Sequence, residues 1–193
     1  MKGQGGMRHA YFMRIFPGKN TEAPARKLYE QVILQSRCEA FYTILTVPDS
    51  VDGRFELLLL HLALLLRRLR KEGQSSQELM QTIFDTFIFD LDQSLRESGV
   101  GDLKVGPKLK AMGEAFYGRS KVYDDGLSVV GDASLKAALV RNVYGTAAPP
   151  PAPAADAFSN YVRRVSQHLD SQSGSTLMRG RVTFPSVPDR IEE

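Results

Sequence analysis

The run LLLLHLALLL, from Leu57 to Leu66, constrains the fold more than any other stretch of this chain. Wound into a helix from Phe55 to about Arg70, it puts leucine on every side of the wheel, so this helix must be surrounded by protein for much of its length. It is too short to cross a membrane. The run is ten residues long, is interrupted by His61 and flanked by Glu56 and Arg67, whereas a spanning helix needs roughly 20 apolar residues. With 193 residues, 42% of them hydrophobic, the chain can wrap such a helix in one core. The expectation is one all-α domain of about five helices with Phe55 to Arg70 at its centre.

The remaining elements follow from periodicity and punctuation. Leu28, Tyr29, Val32 and Ile33 recur at helical spacing between Pro24 and Cys38. Pro48, Asp49, Asp52 and Gly53 make Val47 to Phe55 an ordered loop. Leu79, Ile83, Phe87, Leu91 and Leu95 repeat at 3.6 residues from Ser76 to Ser98, and Gly99 and Gly101 end that helix. Asp102 is placed to cap the next helix, with Leu109, Met112 and Phe116 on its inner face, and Asp132 to cap another running to about Tyr144. The sequence GTAAPPPAPAA lacks large apolar residues, which predicts an extended spacer. The predicted organisation is a basic N-terminal arm over 1–23, a helical domain over 24–144, a Pro/Ala-rich linker over 145–155, and a short C-terminal helix with an extended tail over 156–193.

Charge and chemistry exclude more than they assign. Before Cys38, seven Lys or Arg face only Glu22 and Glu30, while Cys38 to Val140 holds twelve basic and fifteen acidic residues. A basic arm beside a slightly acidic body does not suit a DNA-binding domain. The arm, with Lys2, Arg8, Arg14, Lys19, Arg26 and Lys27 around Tyr11 and Phe12, reads either as a solubilising terminus or as a contact to RNA, the ribosome or a membrane surface. A single cysteine excludes an internal disulfide and fits a reducing compartment. Cys38 with His61 is the only nucleophile–base pair worth naming; against it, no glycine motif flanks Cys38, and a packed thiol and a core histidine are the plainer readings. Asp85, Asp90 and Asp92 point in different directions on a helix, so salt bridges, such as Asp92 to Arg96, account for them better than a metal. GVGDLKVG has neither dinucleotide-fingerprint nor phosphate-loop spacing. No enzyme activity and no cofactor are expected.

Three runs remain once the generic helices are explained: VPD-x-x-DGRF (Val47 to Phe55), SLRE-x-GVGDL-x-VG (Ser94 to Gly106) and AFYGR (Ala115 to Arg119). Together with Arg141-Asn142-Val143-Tyr144 they resemble the ubiquinol-cytochrome c chaperone family over about Tyr29 to Tyr144. Thr46 stands where that pattern usually has glycine, and Glu56 where aspartate is common. The resemblance implies a helical assembly chaperone for the respiratory ubiquinol-cytochrome c reductase that binds newly made cytochrome b. It also implies a partner in the ribosome or a small subunit, and placement in the cytoplasm near the inner membrane face, or in the mitochondrial matrix of a eukaryote. Asp49, Asp52, Arg54, Arg96, Asp102, Tyr117 and Arg119 are the expected client- or partner-binding residues, with caps, turns and inter-helix ion pairs as the alternative roles.

Overall fold

The computed structural model describes residues 21–145 and 148–191. Helix α1 (Glu22–Ser36) buries Ala25, Leu28, Tyr29 and Val32 along one face. A short turn of helix, α2 (Ala40–Thr43), and a bend at Thr46 lead to α3 (Val51–Arg70). The central helix therefore starts before the leucine pattern announces it. The Ser50 hydroxyl accepts a hydrogen bond from the Gly53 N–H at 3.1 Å, which caps the helix and makes Val51 to Phe55, expected as loop, its first turn. Gly53 is required there: a Cβ would lie 2.1 Å from the Pro48 carbonyl oxygen.

Helix α3 runs through the core as its composition demands, with Leu57, Leu59, Leu60, Leu62 and Leu65 fully buried. Each such leucine contributes about 1.5–3 kcal/mol relative to exposure. A 3-10 turn (Gly73–Ser76) connects it to α4 (Gln77–Glu97), whose Leu79, Ile83, Phe87 and Leu91 face the core as predicted. At Gly99, φ is +79°, a backbone conformation that favours glycine, and the Gly99 and Val100 N–H groups close the helix onto the Arg96 and Leu95 carbonyls at 2.9 and 3.0 Å. The chain reverses into α5 (Asp102–Ser128), which returns along α4 so that Phe84 and Phe87 meet Phe116. Helix α6 (Ala133–Leu139) follows and runs into one π-helical turn, Val140–Tyr144.

Two expectations are corrected here. Gly101, not Asp102, occupies the cap position of α5, and Asp132 makes no side-chain cap for α6 because its carboxylate is paired with Arg163. The larger correction concerns the supposed linker and appendage. Helix α7 begins inside the Pro/Ala stretch and spans Ala152–Ser171, and its Phe158, Tyr161, Val162, Val165 and Leu169 are fully buried in the same core as α3. Proline at its first turn starts this helix instead of preventing it. After α8 (Gly174–Met178) the tail is extended without pairing as a strand. The Gln172 side chain substitutes for a strand partner, donating to the Thr183 carbonyl and accepting from its N–H, both at 2.9 Å.

Candidate functional site

The histidine within the leucine run is fully buried and fully satisfied. Its Nδ1 lies 2.7 Å from the Leu57 carbonyl, which can only accept, so Nδ1 carries the proton. Nε2 is then the acceptor for the Tyr161 hydroxyl at 2.9 Å, and the Tyr161 oxygen accepts from Gln35 Nε2 at 2.8 Å. Gln35 also donates to the Pro185 carbonyl at 3.2 Å. The relay thus joins α3, α7, α1 and the tail. Burial pushes the His61 pKa down to about 4, against a smaller upward pull from the Leu57 carbonyl. Both ring nitrogens are committed, so His61 does not serve Cys38. The Cys38 thiol instead points at the Leu34 carbonyl, 3.9 Å away, and burial raises its pKa.

The acidic residues of α4 likewise have separate partners. Asp85 accepts from Gln81, Asp90 from the Tyr29 hydroxyl and Asp92 from Arg96. No group of three or more His, Cys, Asp or Glu comes together to hold a metal among the described residues.

A second polar network gathers the motif residues. Arg119 of α5 grips Glu56 of α3 with two parallel N–H···O bonds of 2.5 Å, the bidentate geometry that makes such pairs specific. Glu56 is only 7% exposed; burial raises its pKa, and the Arg119 hydrogen bond and charge pull it back. One turn on from Arg119, the buried Tyr123 hydroxyl faces the Asn142 amide of the π-helical turn, at a geometry short of a hydrogen bond. Burial pushes the Tyr123 phenol up. Ser120 Oγ and Asn142 Nδ2 are also buried without a protein hydrogen-bond partner. Tyr144 donates to the Leu45 carbonyl at 2.6 Å, pinning the bend at Thr46, where φ is +55°. A β-branched residue is strained there, which gives a physical reason for the glycine of the resembled pattern.

The expected site residues divide between two places. Asp49 and Arg54 pair at 2.6 Å, with the Arg54 guanidinium 5.5 Å from the Tyr42 ring centroid. The Arg54 hydrogen bond holds the Asp49 carboxyl below its ordinary range. Asp52 is exposed in the first turn of α3, next to Val51, which is 85% exposed. Tyr117 is 45% exposed, its ring 5.4 Å from Phe84 and 5.6 Å from Phe116. Of these, Asp52 is close enough to Glu56 for its charge to act on that carboxyl, whereas Tyr117, two residues before Arg119, leaves α5 on the other side, towards Phe84 of α4. Arg96 and Asp102 do not join them. They pair with each other at 2.5 Å at the α4–α5 turn, and Arg119 lies seventeen positions after Asp102 on α5, about 25 Å along the helix axis. Arg119 itself takes the inter-helix ion-pair role. Sequence reading missed Glu56, Tyr123 and Asn142 as members of the network, because partners 63 positions apart leave no periodic signal; the available clue was that AFYGR and RNVY belong to the same resemblance. The basic arm before Thr21 lies outside the described residues.

Comparison with known proteins decides the family. The sequence model described as "Ubiquinol-cytochrome C chaperone" matches residues 43–184. This chain belongs to the ubiquinol-cytochrome c chaperone family. The match extends beyond the run of resemblance read from the sequence and takes in α7 and α8. The chain is 28% identical over 167 residues to human ubiquinol-cytochrome c reductase complex assembly factor 1, covering 86% of this chain and 55% of the human protein. The mouse protein of that name is 27% identical over 154 residues, covering 80% and 52%. The Xenopus laevis one is 25% identical over 154 residues, covering 80% and 76%. This chain thus spans about half the length of its mouse and human relatives. The crystal structure of the Cbp3 homolog from Brucella abortus superposes with a TM-score of 0.79 at 34% identity, covering 90% of this chain and 94% of that one.

Proposed function

We propose that this chain is a chaperone for assembly of the ubiquinol-cytochrome c reductase and that its client is newly made cytochrome b. The observation that carries this reading is the family match over most of the helical body, with relatives that are named assembly factors of that complex. The client contacts are Tyr117 on α5 and, at the start of α3, Asp52 and the Asp49–Arg54 pair, with Arg119 holding α5 against α3 through Glu56. An exposed tyrosine already held by two aromatic neighbours loses little freedom on binding, and Tyr and Arg are frequent interface anchors. Arg96 and Asp102 belong to a separate contact for a partner subunit or the ribosome. The protein works where cytochrome b emerges, in the bacterial cytoplasm at the inner membrane face, or in the mitochondrial matrix of a eukaryote. No helix among the described residues is long and apolar enough to cross a membrane.

Affinity capture of the tagged chain from cells making the reductase, with mass spectrometry of what co-purifies, tests the reading. Cytochrome b is the expected principal partner. Recovery of RNA and ribosomal proteins without any reductase subunit, lost on deleting residues 1–20, would establish the basic-arm reading in its place.

A further inference from the structure

The α4–α5 turn stands apart from the main body. Val105 is only 1% exposed, yet it lies outside the main core cluster. Across α5 from it, Leu103 is 94% exposed, and Lys104, Lys108 and Lys110 are exposed as well. At 100° per residue, Lys110, Leu103, Lys104 and Lys108 fall within an arc of about 160°, with Val105, Leu109 and Met112 on the opposite side. The lysines form no ion pair among the described residues. Their acidic neighbours are either paired elsewhere or form no ion pair with them among the described residues. Asp92 and Asp102 are both held by Arg96. Glu114 lies on the same side, one turn and about 6 Å along the axis from Lys110, and makes no ion pair among the described residues; it is about 15 Å from Lys104, beyond the Debye length of roughly 8 Å. Glu97 remains as the one unpaired acid at the turn.

We propose that Leu103, with Lys104, Lys108 and Lys110, docks the protein on an anionic lipid surface. The arrangement fits that partner in both chemistries: lysine ammonium groups match phosphate headgroups, while a leucine and the lysine stems reach the apolar layer beneath. An acidic protein surface would satisfy the lysines but gives no reason for a leucine this exposed among them. The proposal is independent of which client the protein carries.

The chain contains no tryptophan, so a single introduced one reports its own surroundings. Full-length Leu103→Trp is mixed with vesicles of phosphatidylcholine alone or with added phosphatidylglycerol. Its emission is expected to move to the blue with the anionic vesicles only, and to return on adding salt. Val130→Trp, at the equally exposed loop beyond the other end of α5, is expected to stay unchanged. Each lysine close to such a surface is worth about fivefold in affinity. Replacing Lys104, Lys108 and Lys110 by Glu in the Leu103→Trp background should therefore weaken vesicle binding by more than about a hundredfold while the helical circular dichroism is kept. The proposal is overturned if Leu103→Trp shows no shift, if both tryptophans shift alike, or if the triple reversal leaves vesicle affinity unchanged, which would assign lipid binding to the basic arm.

Discussion

In the His61 relay both ring nitrogens and the Tyr161 hydroxyl find partners, from the Leu57 carbonyl to Gln35, whereas around Arg119 the Tyr123 hydroxyl, Ser120 Oγ and Asn142 Nδ2 are left without one. Both networks tie helices together across long sequence separations, but only the second lies next to exposed motif residues. A closed network rigidifies the body and asks for nothing more. An open one retains buried hydrogen-bonding capacity that the fold itself does not use. The difference separates what holds this fold from what the fold presents.

The largest effect is expected where apolar packing surrounds the closed network. Leu62→Asp puts an unpaired charge where exposure is 0%, at a cost of about 5 kcal/mol or more, comparable with the stability of a whole domain. Circular dichroism should show an unfolded chain, and an unchanged melting temperature would mean that α3 is not the centre of the core.

Next comes pH. An unfolded histidine takes up its proton near 6.5, but His61 in the folded chain does so only at about 4. Between those values the unfolded state binds more protons, so the contribution of His61 is complete above pH 6.5 and is lost as pH falls towards 4, by about 3 kcal/mol. Urea unfolding at pH 7 and pH 4.5 should show a smaller difference in His61→Gln than in the unaltered protein. Equal differences would mean that the histidine is not buried neutral.

Arg119→Ala leaves Glu56 buried opposite nothing. Protonation of Glu56 and partial exposure of the site moderate the loss to about 2 kcal/mol, below the range for a fully buried pair. Chemical denaturation measures it, and a loss of capture larger than the unfolded fraction explains would give Arg119 a direct contact with the client. The smallest effects compare the networks themselves. Tyr161→Phe strips partners from His61 and Gln35 and should cost about 1–2 kcal/mol, while Tyr123→Phe removes a hydroxyl that has no partner and should stay within about 0.5 kcal/mol of the unaltered protein. Equal losses would erase the distinction between closed and open.

Much of the closed half was legible in the sequence. The leucine run marked α3, the 3.6-residue period marked α4, glycines marked the turn, and a histidine among leucines implied a satisfied core residue. The period of Phe158, Tyr161, Val162, Val165 and Leu169 was also visible, but periodicity reports that a face is buried and not against what. The prolines before it therefore suggested an appendage where the structure has a core helix. The candidate site was legible only as separate runs. Asp92–Arg96 could be read at helical spacing, but Glu56–Arg119 depends on how α3 crosses α5, and the separation of Arg96 and Asp102 from Tyr117 depends on the length of α5 as one unbroken helix.

The most direct test of the account is Tyr117→Ala, with melting temperature and cytochrome b capture measured on the same purified protein. Truncation of an interface anchor costs about 2 kcal/mol, roughly thirtyfold in affinity, so the account predicts a nearly unchanged melting temperature and capture reduced by that factor. Normal capture by the folded variant would remove Tyr117 and the face around it from the client-binding site.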